Sequence, residues 1–460
     1  MRVFFVSRDY SGASLARRLL LEGNEVRAHV ADPDSRIIMS GLIPQVESLD
    51  AGVAWAGRDG LIVVDDIGFG AWQDALREQG YAVVGGSAMG DELEHNRSKA
   101  MRVLDRLGID TLETRRFKGY HAAAEHVANN PRRWVVKFDG HAPKSSTFVG
   151  RSADGLDILD YLRFCITDST PDDCQNCSVV LQEAVCSPCN EIALGRYFNG
   201  RDWCGPIGFN IEHKRLFNGN LGPNTPEMGT LVWYQEDHHL FWQLLEPLTD
   251  MLRNANHIGQ VDVNCLINGR AIHPVEFTTR FCYPTIHAQM ALHQSPWGDF
   301  LHALARGKDY DLKWREGFSI ALLVATPPFP FALPLDARGS SFRDMAIRFA
   351  HPLSPEEEMR VHYESVSFRT DRDGQLTPVI CDDSGYMLHV TGHGRTVAAA
   401  RHQVYELAKA VAVPSVYYRT DIGETYPENM AAQKRLRVRM KKLVHIPKPK
   451  HVPALAHAAC

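Results

Sequence analysis

Two segments of this chain hold side chains whose types and spacing suit polyphosphate chemistry. Residues 210–229 read NIEHKRLFNGNLGPNTPEMG, with a His213-Lys214-Arg215 run followed by Asn-Gly turns. The turn Gly222-Pro223-Asn224-Thr225 is rigid and displays an amide and a hydroxyl. Farther along, HPVEFTTRF sets one carboxylate, Glu276, in an apolar strand with Arg280 four residues on. A carboxylate in such a strand is costly unless it is paired or holds a metal ion. Beside an arginine, it suits Mg²⁺ binding and phosphoryl handling. Asp262, in QVDVN, lies on the preceding strand of the same hairpin. A second constellation is the cysteine pair Cys174-x-x-Cys177 and Cys186-x-x-Cys189. Paired C-x-x-C motifs normally point to zinc. The intervening SVVLQEAV reads as a buried strand, which would hold Cys177 and Cys186 roughly 30 Å apart. The expectation is therefore thiols without zinc.

Alternating elements must position these residues. MRVFFVS is an apolar strand, SGASLARRLLLEGN a helix with Leu15, Leu19 and Leu20 on one face, and EVRAHVAD the next strand. GLIVVDD, the helix WQDALREQG and the strand YAVVGG continue the pattern, which predicts a parallel sheet flanked by helices. SAMGDELEHNRSKAMRVLDRLGIDTLET reads as one helix stopped by Gly108. RRWVVKFDG, SVVLQEAV and EIALGRYFNG are strands, and GQVDVNCLINGRAIHPVEFTTRF is a hairpin turning at Asn268-Gly269. GFSIALLVATPPFPF is a strand with a Pro-rich break. Residues 431–460 hold eight Lys or Arg and no acid, which predicts a disordered tail.

At these residues the chain resembles the phosphoribosylamine–glycine ligase (glycinamide ribonucleotide synthetase) family of the ATP-grasp superfamily. That family has a similar HKR…GDTGPNTGGMG stretch and a similar EFNCRFGDPE stretch. The resemblance implies an α/β and α+β multidomain chain: an ATP-grasp fold with an N-terminal parallel-sheet domain and a C-terminal α+β domain. The implied divisions are 1–98 for the N-terminal domain, 99–308 for the ATP-grasp domain with its small lobe at about 115–190, 309–428 for the C-terminal domain and 429–460 for the basic tail. It implies ATP with Mg²⁺, Mn²⁺ being the alternative, and a reaction joining a carboxylate to an amine through an acyl phosphate. By the same resemblance Lys137, Lys99, Lys144 and Ser145 contact ATP, Glu183 lies on the hinge strand at the adenine, and Glu191 binds the ribose. Glu276, Asp262 and Thr278 hold the metal, while Arg280 and Lys214 serve the transferred group. His213, Arg215, Gly222, Pro223, Asn224 and Thr225 line the substrates. The plain structural readings stay open beside these: a strand-end lysine at Lys137, a solvated helix lysine at Lys99 and a water-facing acid at Glu191.

The chain departs from the family pattern at places that bear on substrate. The family's GLAAGKGV loop has become HAPKSSTFVG, where Pro143 removes conformational freedom. The family's EFN asparagine is Thr278. The N-terminal Gly-rich turn is replaced by SRDYSGASLA, and GPEAP by Asp65-Asp66-Ile67-Gly68. Two carboxylates at strand ends would repel a sugar phosphate, unless they cap a helix instead. The expected enzyme is an ATP-dependent carboxylate–amine ligase whose amino acid is glycine and whose acceptor has diverged. The alternatives are a degenerate nucleotide-binding module with a regulatory role and a zinc-containing nucleic-acid-associated protein. Composition fits a globular chain: 460 residues, 44% hydrophobic, 23% charged, formal net charge −5. That balance offers no basic field for nucleic acid or membrane, and no run approaches the roughly 18–20 apolar residues of a membrane span. MRVFFVSRDYSG reads as a strand and not as a leader, so a cytoplasmic monomer or weak homodimer acting on small molecules is expected.

Overall fold

The computed structural model describes residues 1–138, 147–170, 176–185, 190–267, 271–331, 341–370, 374–427 and 430–431. The N-terminal sheet is formed by β1 (Arg2–Ser7), β2 (Glu25–Val30), β3 (Leu61–Val64) and β4 (Ala82–Val84), in the order β2-β1-β3-β4. All its pairings are parallel. β1 and β3 are apolar without interruption because both faces are covered: Val3, Phe5, Leu61 and Val63 join the main core, and Phe4, Val6, Ile62 and Val64 a second one. The helices α1 (Ala13–Leu21), α2 (Leu49–Ala56) and α3 (Gly70–Glu78) flank it.

The expected single helix over SAMGDELEHNRSKAMRVLDRLG is two, α4 (Ala88–His95) and α5 (Arg97–Arg106). Asn96 divides them. Its backbone leaves the helical region at φ −112° and ψ 81°, and its side chain accepts the Lys99 amide as the cap of α5. An asparagine competes locally for backbone donors and so favours a cap over a helix interior. Gly108, at φ +73°, stands just past α5 as expected.

A small antiparallel sheet follows, β5 (Thr114–Lys118), β6 (Trp134–Phe138), β7 (Phe148–Val149) and β8 (Ser178–Glu183), ordered β5-β8-β6-β7. The helices α6 (Tyr120–Asn129) and α7 (Leu156–Asp168) close one face around Trp134, Val136, Val179 and Leu181, a core separate from the main one. Period-2 alternation therefore turns Lys137 and Gln182 to the opposite face. β8 realises the strand expected between the cysteine pairs. Cys177 is half-buried, and Cys174, Cys186 and Cys189 lie outside the described residues.

The largest sheet is antiparallel throughout and has the order β15-β14-β9-β10-β13-β16-β20-β17. Its strands are β9 (Asn190–Asn199), β10 (Trp203–Glu212), β13 (Gly229–Gln235), β14 (Ile258–Ile267), β15 (Ile272–Thr278), β16 (Phe318–Val324), β17 (Val361–Tyr363) and β20 (Leu388–Gly394). Two hairpins flank it, β11 (Arg215–Phe217) with β12 (Leu221–Asn224), and β18 (Val366–Thr370) with β19 (Leu376–Ile380). β14 and β15 form the expected hairpin, whose turn residues 268–270 lie outside the described residues. β16 pairs with β13, so residue 309 marks no break in the sheet. The basic tail from 432 onward also lies outside the described residues. No described helix is long and apolar enough to cross a membrane.

Candidate active site

Four neighbouring strands build the centre of the site. Asn264 on β14 stands opposite Glu276 on β15 and Ala193 on β9, and Asp262 opposite Thr278 and Gly195. Directly opposed residues share a face, as do residues two apart. One face therefore presents Glu276 and Thr278, then Asn264 and Asp262, then Glu191 at the start of β9, with Glu212 ending β10. Lys214, just past β10, reaches into this row. Its Nζ lies 2.8 Å from Glu191 Oε1, 2.9 Å from Glu212 Oε2 and 3.4 Å from Glu276 Oε1. Asn264 Nδ2 donates to the same three side chains at 3.2, 3.0 and 3.5 Å. Arg97 at the start of α5 closes the fourth side, 2.9 Å from Glu276 Oε2.

The charges are mutually dependent. Burial alone would raise the Glu212 pKa, but the Lys214 ammonium and its hydrogen bond hold it below the usual carboxylate range. Burial would lower Lys214, and the three glutamates push it well above its ordinary value. Lys137 faces this cluster from β6, where Gln182 Oε1 accepts from its Nζ at 2.9 Å. Burial, aided by Arg97, lowers its pKa to about 8.

Asp262 has different company. Its Oδ2 accepts the Cys282 thiol at 3.3 Å, and burial pushes its pKa up to about 7. Gly195 makes room for it, since a Cβ there would fall 1.8 Å from Asp262 Oδ1. Asn264, not Asp262, is thus the β14 residue that touches the three glutamates. Arg280 pairs with Glu94 of α4 at 3.2 Å. Burial would lower its pKa, but Glu94 and Asp66 raise it. Asp66 accepts the Ile67 amide at 2.8 Å and lies 3.7 Å from Arg8. Asp65 is buried and accepts the Gly12 amide at 2.6 Å, at the N-cap of α1. Burial, then the Asp66 and Asp9 charges, raise its pKa well above the ordinary value. The helix-capping alternative therefore describes Asp65, while Asp66 sits among arginines.

The other sequence-derived candidates are distributed as follows. Lys99 pairs with Glu92 on a half-exposed surface between α4 and α5. Glu183 ends β8, and the Ala184 amide beside it donates to Arg133 O at 3.1 Å. His213 is buried, and burial lowers its pKa to about 4. Arg215 donates to Gly222 O at 2.8 Å and pairs in register with Asn224, so Gly222, at φ +83°, Pro223 and Asn224 form the returning strand of a hairpin. Thr225 Oγ1 donates to Lys214 O at 2.9 Å and so braces the lysine's backbone. Lys144 and Ser145 lie outside the described residues. Sequence reasoning missed Glu212, Asn264, Arg97 and Glu94. The first two were findable, because Asn264 is two residues from Asp262 and Glu212 directly precedes the His213 run. Arg97 and Glu94 come from separate helices, and no local pattern marks them.

No protein-family model matches the chain. It is similar to the phosphoribosylamine–glycine ligase of Streptomyces coelicolor, 24% identical over 450 residues that cover 92% of this chain and 99% of that one. The crystal structure of phosphoribosylamine–glycine ligase from Thermotoga maritima superposes with a TM-score of 0.67 at 19% identity, covering 92% of this chain and 100% of that chain. A biotin carboxylase from Campylobacter jejuni, crystallised as a β,γ-ATP complex, superposes with a TM-score of 0.57 at 11% identity over 95% of each chain. The shared architecture is the ATP-grasp fold.

Proposed function

We infer that this chain is a divergent member of the phosphoribosylamine–glycine ligase family, an ATP-dependent ligase that joins an amino-acid carboxylate to an amine. The observation that carries this reading is the convergence of Glu191, Glu212, Asn264 and Glu276 around Lys214, opposite the half-buried Lys137 of a separate lobe. An all-oxygen set of three carboxylates and an amide suits a hard cation such as Mg²⁺. Glu276, Glu212 and Glu191 would hold it, with Asn264 presenting its oxygen when its amide is turned. The ion supplies neutralisation of the triphosphate when bound.

The chain's own residues do the rest. Lys137 offers a cation to the nucleotide phosphates from the small lobe, and Lys214 offers one from the large sheet. In the first step an amino-acid carboxylate oxygen attacks the γ-phosphorus of ATP, the bond to the β–γ bridging oxygen breaks, and ADP leaves. In the second the amine attacks the acyl carbon, phosphate departs, and the amine gives up a proton as the amide forms. Arg280, held by Glu94 and Asp66, faces charge developing on the transferred group.

Glycine is the amino acid this reading favours. The acceptor is an amine without a terminal phosphate. Asp65 already occupies the backbone amide at the N-terminus of α1, where an anion would otherwise bind. Asp66 offsets the neighbouring arginines. The enzyme works in the cytoplasm on small molecules. The test is ADP release from ATP and Mg²⁺ with glycine and an amine, each omitted in turn. Release that requires both substrates supports ligation. Release unchanged when either is omitted, or no release with any amine, contradicts it.

A further inference from the structure

Away from the phosphate-handling face, three buried donors meet where the helix Thr285–Leu292 packs against the C-terminal strands. His287 Nε2 lies 2.9 Å from Glu364 Oε1, and His389 Nδ1 lies 2.8 Å from the same oxygen. The three ligand atoms all fall within 4.8 Å of one another. Their side chains are 1%, 8% and 0% exposed. Glu364 follows β17 directly, His389 lies on β20, and His287 comes from the helix, so the cluster joins three elements.

The charge balance is incomplete. Among the described residues, no lysine or arginine forms an ion pair with Glu364; its recorded partners are the two imidazoles. Arg17 and Arg18 act on the stacked His362, whose ring lies 4.6 Å from that of His287. Arg17 itself is engaged by Glu358 at 2.7 Å. A buried carboxylate with no lysine or arginine beside it favours a cation.

We propose that His287, Glu364 and His389 form a site for a divalent transition-metal ion, with zinc as the fitting member. Two imidazoles and one carboxylate are a zinc donor set, and Zn–N and Zn–O bonds of about 2.0–2.2 Å require ligand atoms about 3.4 Å apart in a tetrahedron. The two contacts to the carboxylate, 2.9 and 2.8 Å, lie within about 0.6 Å of that spacing. Neither ring's other nitrogen meets a described partner, so each can turn a lone pair to the ion without breaking another hydrogen bond. The ion would neutralise Glu364 and fasten the helix to β17 and β20. A fourth ligand would be water, or His362 after it releases Thr391, 3.1 Å from its Nε2.

The test uses the full chain, stripped of metal by dialysis and titrated with Co²⁺ and Zn²⁺. The wild-type protein is expected to take up one equivalent of Co²⁺, with a tetrahedral d–d spectrum and no thiolate charge-transfer band. Zn²⁺ should displace the Co²⁺ and raise the melting temperature by several degrees. Glu364→Gln and His389→Gln should each lose uptake by at least ~10-fold, while Cys177→Ser keeps it. The wild-type spectrum decides the matter if the variants fail to fold. No cobalt uptake, a thiolate band, or uptake unchanged in both variants would overturn the proposal.

Discussion

Glu276 shows how one side chain links sequence to chemistry here. It was marked by its apolar strand, and it takes Arg97 on one oxygen and Lys214 on the other. Glu276→Gln is expected to lower turnover by at least ~10²-fold, the scale seen when a charge that holds a catalytic ion is lost. ADP release in steady state measures this, and wild-type turnover would remove Glu276 from the mechanism. Lys137 gives a pH prediction. Its pKa falls from 10.5 to about 8 through burial, so between those values the unfolded chain holds a proton that the native chain has lost. Stability attributable to this group therefore rises with pH across that window. Phosphate binding needs the cation, so kcat/KM for ATP should fall as pH rises through about 8. Lys137→Arg should flatten that fall, and superimposable profiles would exclude the role. The conspicuous types were legible: acids in apolar strands and the His213-Lys214-Arg215 run. Glu94 and Arg97 were not, because their partners lie far away in sequence and an acid or arginine on a helix reads as a solvated face.

At the scale of elements, period 2 and period 3.6 exposed most of the architecture. The parallel opening, the β14–β15 hairpin and β8 followed from apolar runs and turn residues. The break at Asn96 did not, since an asparagine inside a polar helical stretch looks neutral until its cap to Lys99 is seen. Asn96→Ala should cost about 1 kcal/mol of stability by loss of that cap, measured by urea denaturation; an unchanged midpoint would contradict the capping role. The continuity of β13 with β16 was also hidden, because a pairing between distant strands leaves no local signature. Gly195 carries a sharper test. A methyl group there would fall on the Asp262 carboxylate, so Gly195→Ala should destabilise the protein by about 1–3 kcal/mol. The double variant with Asp262→Gly should recover part of that loss.

On the scale of the whole molecule, three parts of the fold converge on one site: the four-stranded antiparallel sheet brings Lys137, the large sheet brings the glutamates and Lys214, and α4 and α5 bring Glu94 and Arg97. The similarity to phosphoribosylamine–glycine ligases runs along nearly the full chain, and at its N-terminus Asp65 holds the α1 amide. Ligation is therefore expected to be retained and the acceptor changed. A coupled ADP-release assay tests this most directly, with ATP, Mg²⁺ and glycine held constant and the amine varied between freshly generated phosphoribosylamine and amines without phosphate. The account predicts ADP release that depends on both glycine and amine, and a higher kcat/KM for an unphosphorylated amine than for phosphoribosylamine. Efficient glycinamide ribonucleotide formation would contradict the changed acceptor, and no amine-dependent release with any acceptor would contradict ligation itself.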